Sequence, residues 1–120
     1  MFCLDTYALA EIGNGNPKFT DFLNKEFTIT DLTLAEYYAI LYREGKEDKA
    51  IYWHTRLSAF CKPVSREILI KALKYRIDNK KENLSIFDCV SYIFSLKNNF
   101  TFVTGDNAFK DRKNVLFIKK

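Results

Sequence analysis

At 120 residues the chain has the length of one domain, residues 1–120, and 48% of it is hydrophobic, with 11 Phe and 7 Tyr, which supports a packed core and argues against disorder. No apolar run approaches the roughly 18 residues that cross a bilayer, and Met1-Phe2-Cys3-Leu4-Asp5 lacks a basic segment followed by a long apolar one, so a cytoplasmic protein with no membrane contact is expected. The net charge of +4 is mild, but Lys and Arg concentrate between Arg43 and Lys81 and again from Lys110 to Lys120; that polarity permits a nucleic-acid partner without requiring one, since a charge run is also an ordinary solvated face.

Phe2-Cys3-Leu4 reads as a short strand ending in Asp5, and Tyr7 to Ile12 as a helix broken by Gly13-Asn14-Gly15-Asn16-Pro17. Phe19 to Glu26 has apolar residues at helical spacing, and Phe27-Thr28-Ile29-Thr30 alternates as a strand. Thr33-Leu34-Ala35-Glu36 has the spacing of a capping box, which places Glu36 in the first turn of a helix running through Tyr37 to Glu44 and stopped by Gly45. Lys46 to Phe60 reads as another helix. Lys62-Pro63-Val64 is a break, and Ser65 then caps a long helix striped by Ile68, Leu69, Ala72, Leu73 and Ile77.

Beyond the polar turn Asp78 to Asn83, Ser85 repeats the capping pattern with Asp88 three residues on, opening a strongly apolar helix to Asn98-Asn99. Phe100-Thr101-Phe102-Val103 is a strand broken by Thr104-Gly105-Asp106-Asn107, and Val115 to Ile118 is the last strand. Strands alternating with helices predict an α/β fold whose parallel sheet is covered on both faces, with ligands bound beyond the carboxyl ends of the strands.

Four acids fall at that rim. Asp5 and Asp106 follow apolar strands, while Glu36 and Asp88 open helices on the same edge. Singly, each has an ordinary reading, as a turn residue or as a carboxylate favoured by a helix dipole. Together they need positive charge, because carboxylates about 5 Å apart repel by roughly 3 kcal/mol per pair at an effective dielectric near 20. Hard oxygen donors without histidine or thiolate suit Mg²⁺ or Mn²⁺, which points to phosphate chemistry.

Other routes lack their parts. His54 is the only histidine and cannot form an acid and base pair, and no Gly-x-x-x-x-Gly-Lys-Ser/Thr loop is present. Cys3, Cys61 and Cys89 are widely spaced and odd in number, so buried free thiols in a reducing compartment are expected.

The whole pattern resembles the PIN-domain family, and within it the short VapC-like toxins of bacterial and archaeal toxin–antitoxin pairs. Leu4-Asp5-Thr6, Leu34-Ala35-Glu36, Leu84-Ser85-Ile86-Phe87-Asp88 and Phe102-Val103-Thr104-Gly105-Asp106-Asn107-Ala108-Phe109 carry the likeness, the last being the most specific. The resemblance implies a three-layer α/β/α sandwich with a mainly parallel sheet, a metal-dependent endoribonuclease leaving 5′-phosphate ends, frequent homodimers and an antitoxin partner. It assigns Asp5, Glu36, Asp88 and Asp106 as catalytic, metal-binding acids, and Thr6 and Thr104 as hydroxyls that hold carboxylates or water beside them. Tyr7 departs from the family pattern, where a smaller residue is common.

Arg43, Lys46, Lys49 and Arg56 are the candidates for RNA phosphates, with a solvated helix face as the competing reading. Asp111, flanked by Lys110, Arg112 and Lys113, reads as a solvated turn, and Tyr37, Tyr38 and Tyr42 as packing or a dimer surface. Two rival functions stand beside the nuclease. One is an aspartyl phosphatase, demoted because Tyr7 occupies the position of the second acid in Asp-x-Asp. The other is a non-catalytic module of the same fold that holds RNA or a protein.

Overall fold

The structure is a computed structural model describing residues 1–119; Lys120, last of the basic end, lies outside the described residues. Five strands form a parallel sheet in the order β3-β2-β1-β4-β5: β1 (Phe2–Leu4), β2 (Phe27–Thr30), β3 (Cys61–Lys62), β4 (Thr101–Thr104) and β5 (Val115–Phe117). Among the described residues six α-helices accompany them: α1 (Thr6–Gly13), α2 (Pro17–Thr20), α3 (Asp31–Arg43), α4 (Glu47–Leu57), α5 (Arg66–Asp78) and α6 (Ile86–Asn98).

The period-2 geometry of the central strands sorts their side chains into two cores. Leu4 and Val103 point to one face, packed with Leu9, Ile12, Phe19, Leu34 and Leu41 from α1, α2 and α3. Cys3 and Phe102 point to the other, packed with Ile68 and Ala72 of α5 and Val90, Tyr92 and Phe94 of α6. The result is the three-layer α/β/α sandwich that the order of elements implies. Burial of side chains such as Phe19, Phe102 and Phe109, each 0% exposed, stabilises it by about 1.5–3 kcal/mol apiece.

Several local expectations are corrected. The segment Phe19 to Glu26 is not one helix: Pro17 opens the short α2, capped by Asn16, and a 3₁₀ turn over Asp21–Asn24 follows. Helix α3 begins at Asp31 directly from β2, because the Thr30 hydroxyl accepts from Thr33 N–H and takes the capping role expected of Thr33. Glu36 therefore stands in the second turn. Helix α4 ends at Leu57, a 3₁₀ turn covers Ser58–Phe60, and Cys61–Lys62 pairs with β2 where the sequence suggests only a break.

On α5 the apolar stripe is only half used. Ile68 and Ala72 are buried, but Leu73 and Ile77 are 47% and 68% exposed. The three thiols are free, with Cys3 and Cys89 buried and Cys61 half-buried. Among the described residues no helix is long and apolar enough to cross a membrane.

Candidate active site

The central strand β1 and its neighbour β4 deliver acids to the same edge of the sheet. Asp5 follows Leu4 directly and caps α1, its Oδ1 accepting from Ala8 N–H at 2.8 Å. After β4 the chain turns through Gly105, and Asp106 is fixed on both sides: its N–H donates to Thr104 Oγ1 at 3.0 Å and its Oδ1 accepts from Ala108 N–H at 2.9 Å. Asp88 sits in the first turn of α6, where its N–H donates to the capping Ser85 Oγ at 3.1 Å. The Thr6 hydroxyl donates to the Glu36 carboxylate and ties α1 to α3.

These contacts bring Asp5, Glu36, Asp88 and Asp106 into the walls of one cleft of about 500 Å³, together with Thr6, Tyr7, Ser85 and Asn107. Thr104 lies fully buried beneath it. Gly105 has a reason to be glycine that the sequence alone does not disclose: a Cβ there would collide with the Tyr7 ring, which leans over the turn and also meets Phe19 edge-on at 5.8 Å. Tyr7 and Ser85 are lining residues not among the expected site; the Ser85 cap signal was available, whereas the Tyr7–Gly105 contact joins opposite ends of the chain.

Electrostatics single out Asp5. It is 1% exposed, and its Oδ2 is buried with no hydrogen-bond partner among the described residues. Burial, then the negative charge of Asp88 and more weakly that of Asp106, push its carboxyl up to about 8, against the opposing pull of Thr104 and Ala8 N–H. Burial also lifts Asp88 to about 6, opposed by Ser85 and reinforced by the charges of Asp106 and Glu36. Asp5 and Asp88 are both raised by neighbouring carboxylates, so each favours either a proton or a nearby cation.

Among the described residues, no three Asp, Glu, His or Cys side chains already close into a ligand set. The donor chemistry nonetheless fits a hard divalent cation. An ionised carboxylate oxygen that is buried and unpartnered demands compensation, and the cleft offers oxygen donors with no imidazole or thiolate in its lining.

The basic candidates divide. Arg43 borders a neighbouring hollow that shares Glu36 and Ile40 with the acidic cleft, and Lys46 and Lys49 border another that shares Ala10 and Ile40. Arg56 lies outside these walls, bonded to Tyr52 Oη at 2.8 Å and stacked on Trp53. His54 meets Tyr38 edge-on and lines none of these hollows, and Asp111 is likewise absent from the cleft.

A family model of the PIN domain matches residues 2–115. None of the curated proteins matches the chain by sequence. Among solved structures, VapC20 of Mycobacterium tuberculosis, a toxin that cleaves the sarcin-ricin loop, superposes with a TM-score of 0.80 at 17% identity, over 100% of this chain and 98% of that one. A toxin–antitoxin complex from Klebsiella pneumoniae gives 0.78 at 16% identity, with 100% of both chains covered. VapBC2 of Rickettsia felis, bound to a DNA fragment from its promoter, gives 0.73 at 17% identity, over 99% of this chain and 98% of that one. At these identities the likeness is one of fold.

Proposed function

The chain belongs to the PIN-domain family, and from that footing we propose that it is a metal-dependent endoribonuclease hydrolysing RNA phosphodiester bonds, acting as the toxin of a toxin–antitoxin pair. The observation that carries this reading is the convergence of Asp5, Glu36, Asp88 and Asp106, from separate elements, on one cleft that holds a buried and unpartnered Asp5 Oδ2. Asp5, Glu36, Asp88 and Asp106 would hold Mg²⁺ or Mn²⁺. Bound there, the cation supplies positive charge against the phosphate and makes water more acidic.

The protein's own residues prepare that chemistry. The Ala8 N–H holds Asp5 Oδ1, and Oδ2, which has no hydrogen-bond partner among the described residues, would be available to the cation. Thr6 orients Glu36, while Thr104 and Ala108 orient Asp106 from opposite sides. Burial excludes water from Asp5, which strengthens every charge interaction the carboxylate makes. Arg43, Lys46 and Lys49, which border hollows sharing residues with the cleft, would contact flanking phosphates, and Arg56 is assigned the same role from the sequence alone.

The partners that go with this reading are an RNA substrate, a cognate antitoxin protein and a second copy of the chain, all in the cytoplasm. The identity of the product ends tests the chemistry. RNA cut in the presence of Mn²⁺ should carry 5′-phosphate and 3′-hydroxyl ends; 2′,3′-cyclic phosphate ends would mean that the RNA's own 2′-hydroxyl was the nucleophile and would overturn the hydrolytic reading.

A further inference from the structure

Helices α3 and α6 each carry one acid of the cleft and meet in the protein interior through a pair of hydroxyls. Thr33 Oγ1 and Ser91 Oγ are 2.8 Å apart, and both residues are 1% exposed. Thr33 lies three residues before Glu36, and Ser91 three residues after Asp88. On an α-helix three residues make just under one turn, about 4.5 Å along the axis, and lie on one face. The Thr33–Ser91 contact thus sits one turn behind the place where Glu36 and Asp88 face the cleft together.

The pair is also anchored at both ends. Thr33 Oγ1 lies 3.2 Å from Thr30 Oγ1, and Thr30 is the terminal residue of β2 and the cap of α3. On the far side the Ser91 carbonyl accepts from Ser95 Oγ at 2.7 Å. An apolar pair could bury these positions, but it would set no direction; a hydrogen bond between two buried hydroxyls fixes distance and helix rotation, because leaving either unsatisfied in the interior is unfavourable.

We infer that the Thr33–Ser91 hydrogen bond is a positioning device that sets the rotation of α3 against α6 and thereby the spacing of Glu36 and Asp88 across the cleft. This rests on the metal-dependent reading of the cleft. Neither residue lines the cleft, so both act through the acids one turn away. Loss of an outer partner that orients ligands weakens metal binding by roughly 10–100-fold, and that range is the effect expected here.

Mn²⁺ binding by calorimetry to the purified full chain tests the inference, with Thr33→Val, Ser91→Ala, the double variant and Ser95→Ala beside the wild type. Thr33→Val and Ser91→Ala should each weaken Mn²⁺ binding by about tenfold or more. The double variant should be no weaker than the worse single one, since both remove the same bond. Thr33→Ser, which keeps the hydroxyl, should restore affinity.

Ser95→Ala removes a buried hydroxyl from the same network without touching α3. It should lower the melting temperature yet leave Mn²⁺ affinity within about twofold of the wild type, less than the tenfold loss expected of a ligand-orienting partner. Wild-type affinity in folded Thr33→Val and Ser91→Ala would overturn the inference alone, as would an equal loss in Ser95→Ala, which would mark general loosening. A wild type that binds no Mn²⁺ would overturn both this inference and the metal-dependent function.

Discussion

The hydroxyl of Thr6, the first residue of α1, donates to the carboxylate of Glu36 on α3, thirty positions along the chain. This bond orients an acid that the cleft places against three others, and Thr6 itself is only 8% exposed. Thr6→Val keeps the shape and removes the donor. It should lower kcat for RNA cleavage by roughly tenfold, equivalent to about 1.4 kcal/mol, with the melting temperature little changed. Thr6→Ser should retain most of the rate. Paired kinetics and melting curves on the two variants check this.

Protons and cations should compete for the cleft. An acid whose pKa is higher in the folded state binds its proton more tightly when folded, so the stability gained from that proton is present at low pH. That stability is lost as pH rises from the unfolded value near 4 to the folded values, about 6 for Asp88 and about 8 for Asp5. Freed of divalent ions, the protein should melt higher at pH 5 than at pH 8. Added Mn²⁺ should raise the melting temperature more at pH 8 than at pH 5. A thermal scan series across this range that shows the same Mn²⁺ gain throughout would contradict the coupling.

Neutralising one acid should relieve the others. Without divalent ions at pH 8, Asp88→Asn should melt above the wild type by about 4 °C, the equivalent of roughly 1 kcal/mol for a domain of this size. With Mg²⁺ the wild type should gain stability that the variant does not. Four melting curves, two proteins with and without metal, decide it; identical curves would remove the repulsion.

At the mouth of the cleft, Tyr7 and Gly105 should behave as one unit. Gly105→Ala places a methyl group into the Tyr7 ring and should destabilise the protein by about 1–3 kcal/mol. In a Tyr7→Ala background the same change should be tolerated at less than half that effect, because the obstructing ring is gone. Denaturant midpoints of the two single variants and the double one measure the coupling.

The placement of three of the four acids was legible from the sequence because each of those three sits at a local signal: Asp5 after an apolar strand, Asp88 three residues after a capping serine, Asp106 in a glycine turn. The entry of Cys3 and Leu4 into opposite cores follows from strand geometry once Phe2-Cys3-Leu4, a continuous apolar run, is read as a strand of a sheet covered on both faces. What sequence pattern could not settle was competition between equivalent signals. Thr30 and Thr33 both suit a helix cap, and Thr30 wins because β2 runs into α3 without a loop, which moves Glu36 to the second turn.

Nor could a two-residue strand announce itself: Cys61–Lys62 is too short for any alternation and is defined by its pairing with Ile29 and Thr30. Leu73 and Ile77 continue the helical period of α5, yet both stay exposed while Ile68 and Ala72 are buried. The contacts that organise the cleft, Thr6 with Glu36, Thr33 with Ser91 and Tyr7 with Gly105, join residues far apart in the chain, and no local pattern encodes them.

If these carboxylates support metal-dependent RNA cleavage, the most direct test is incubation of a mixed pool of structured RNAs with the purified chain in Mn²⁺, Mg²⁺ or EDTA, beside Asp5→Asn and Asp88→Asn. The expected result is cutting in Mn²⁺ or Mg²⁺ that is absent in EDTA and absent from both variants while each stays folded. Cutting that persists in EDTA, or that survives in either folded variant, would contradict the assignment of the cleft as a metal-dependent nuclease site.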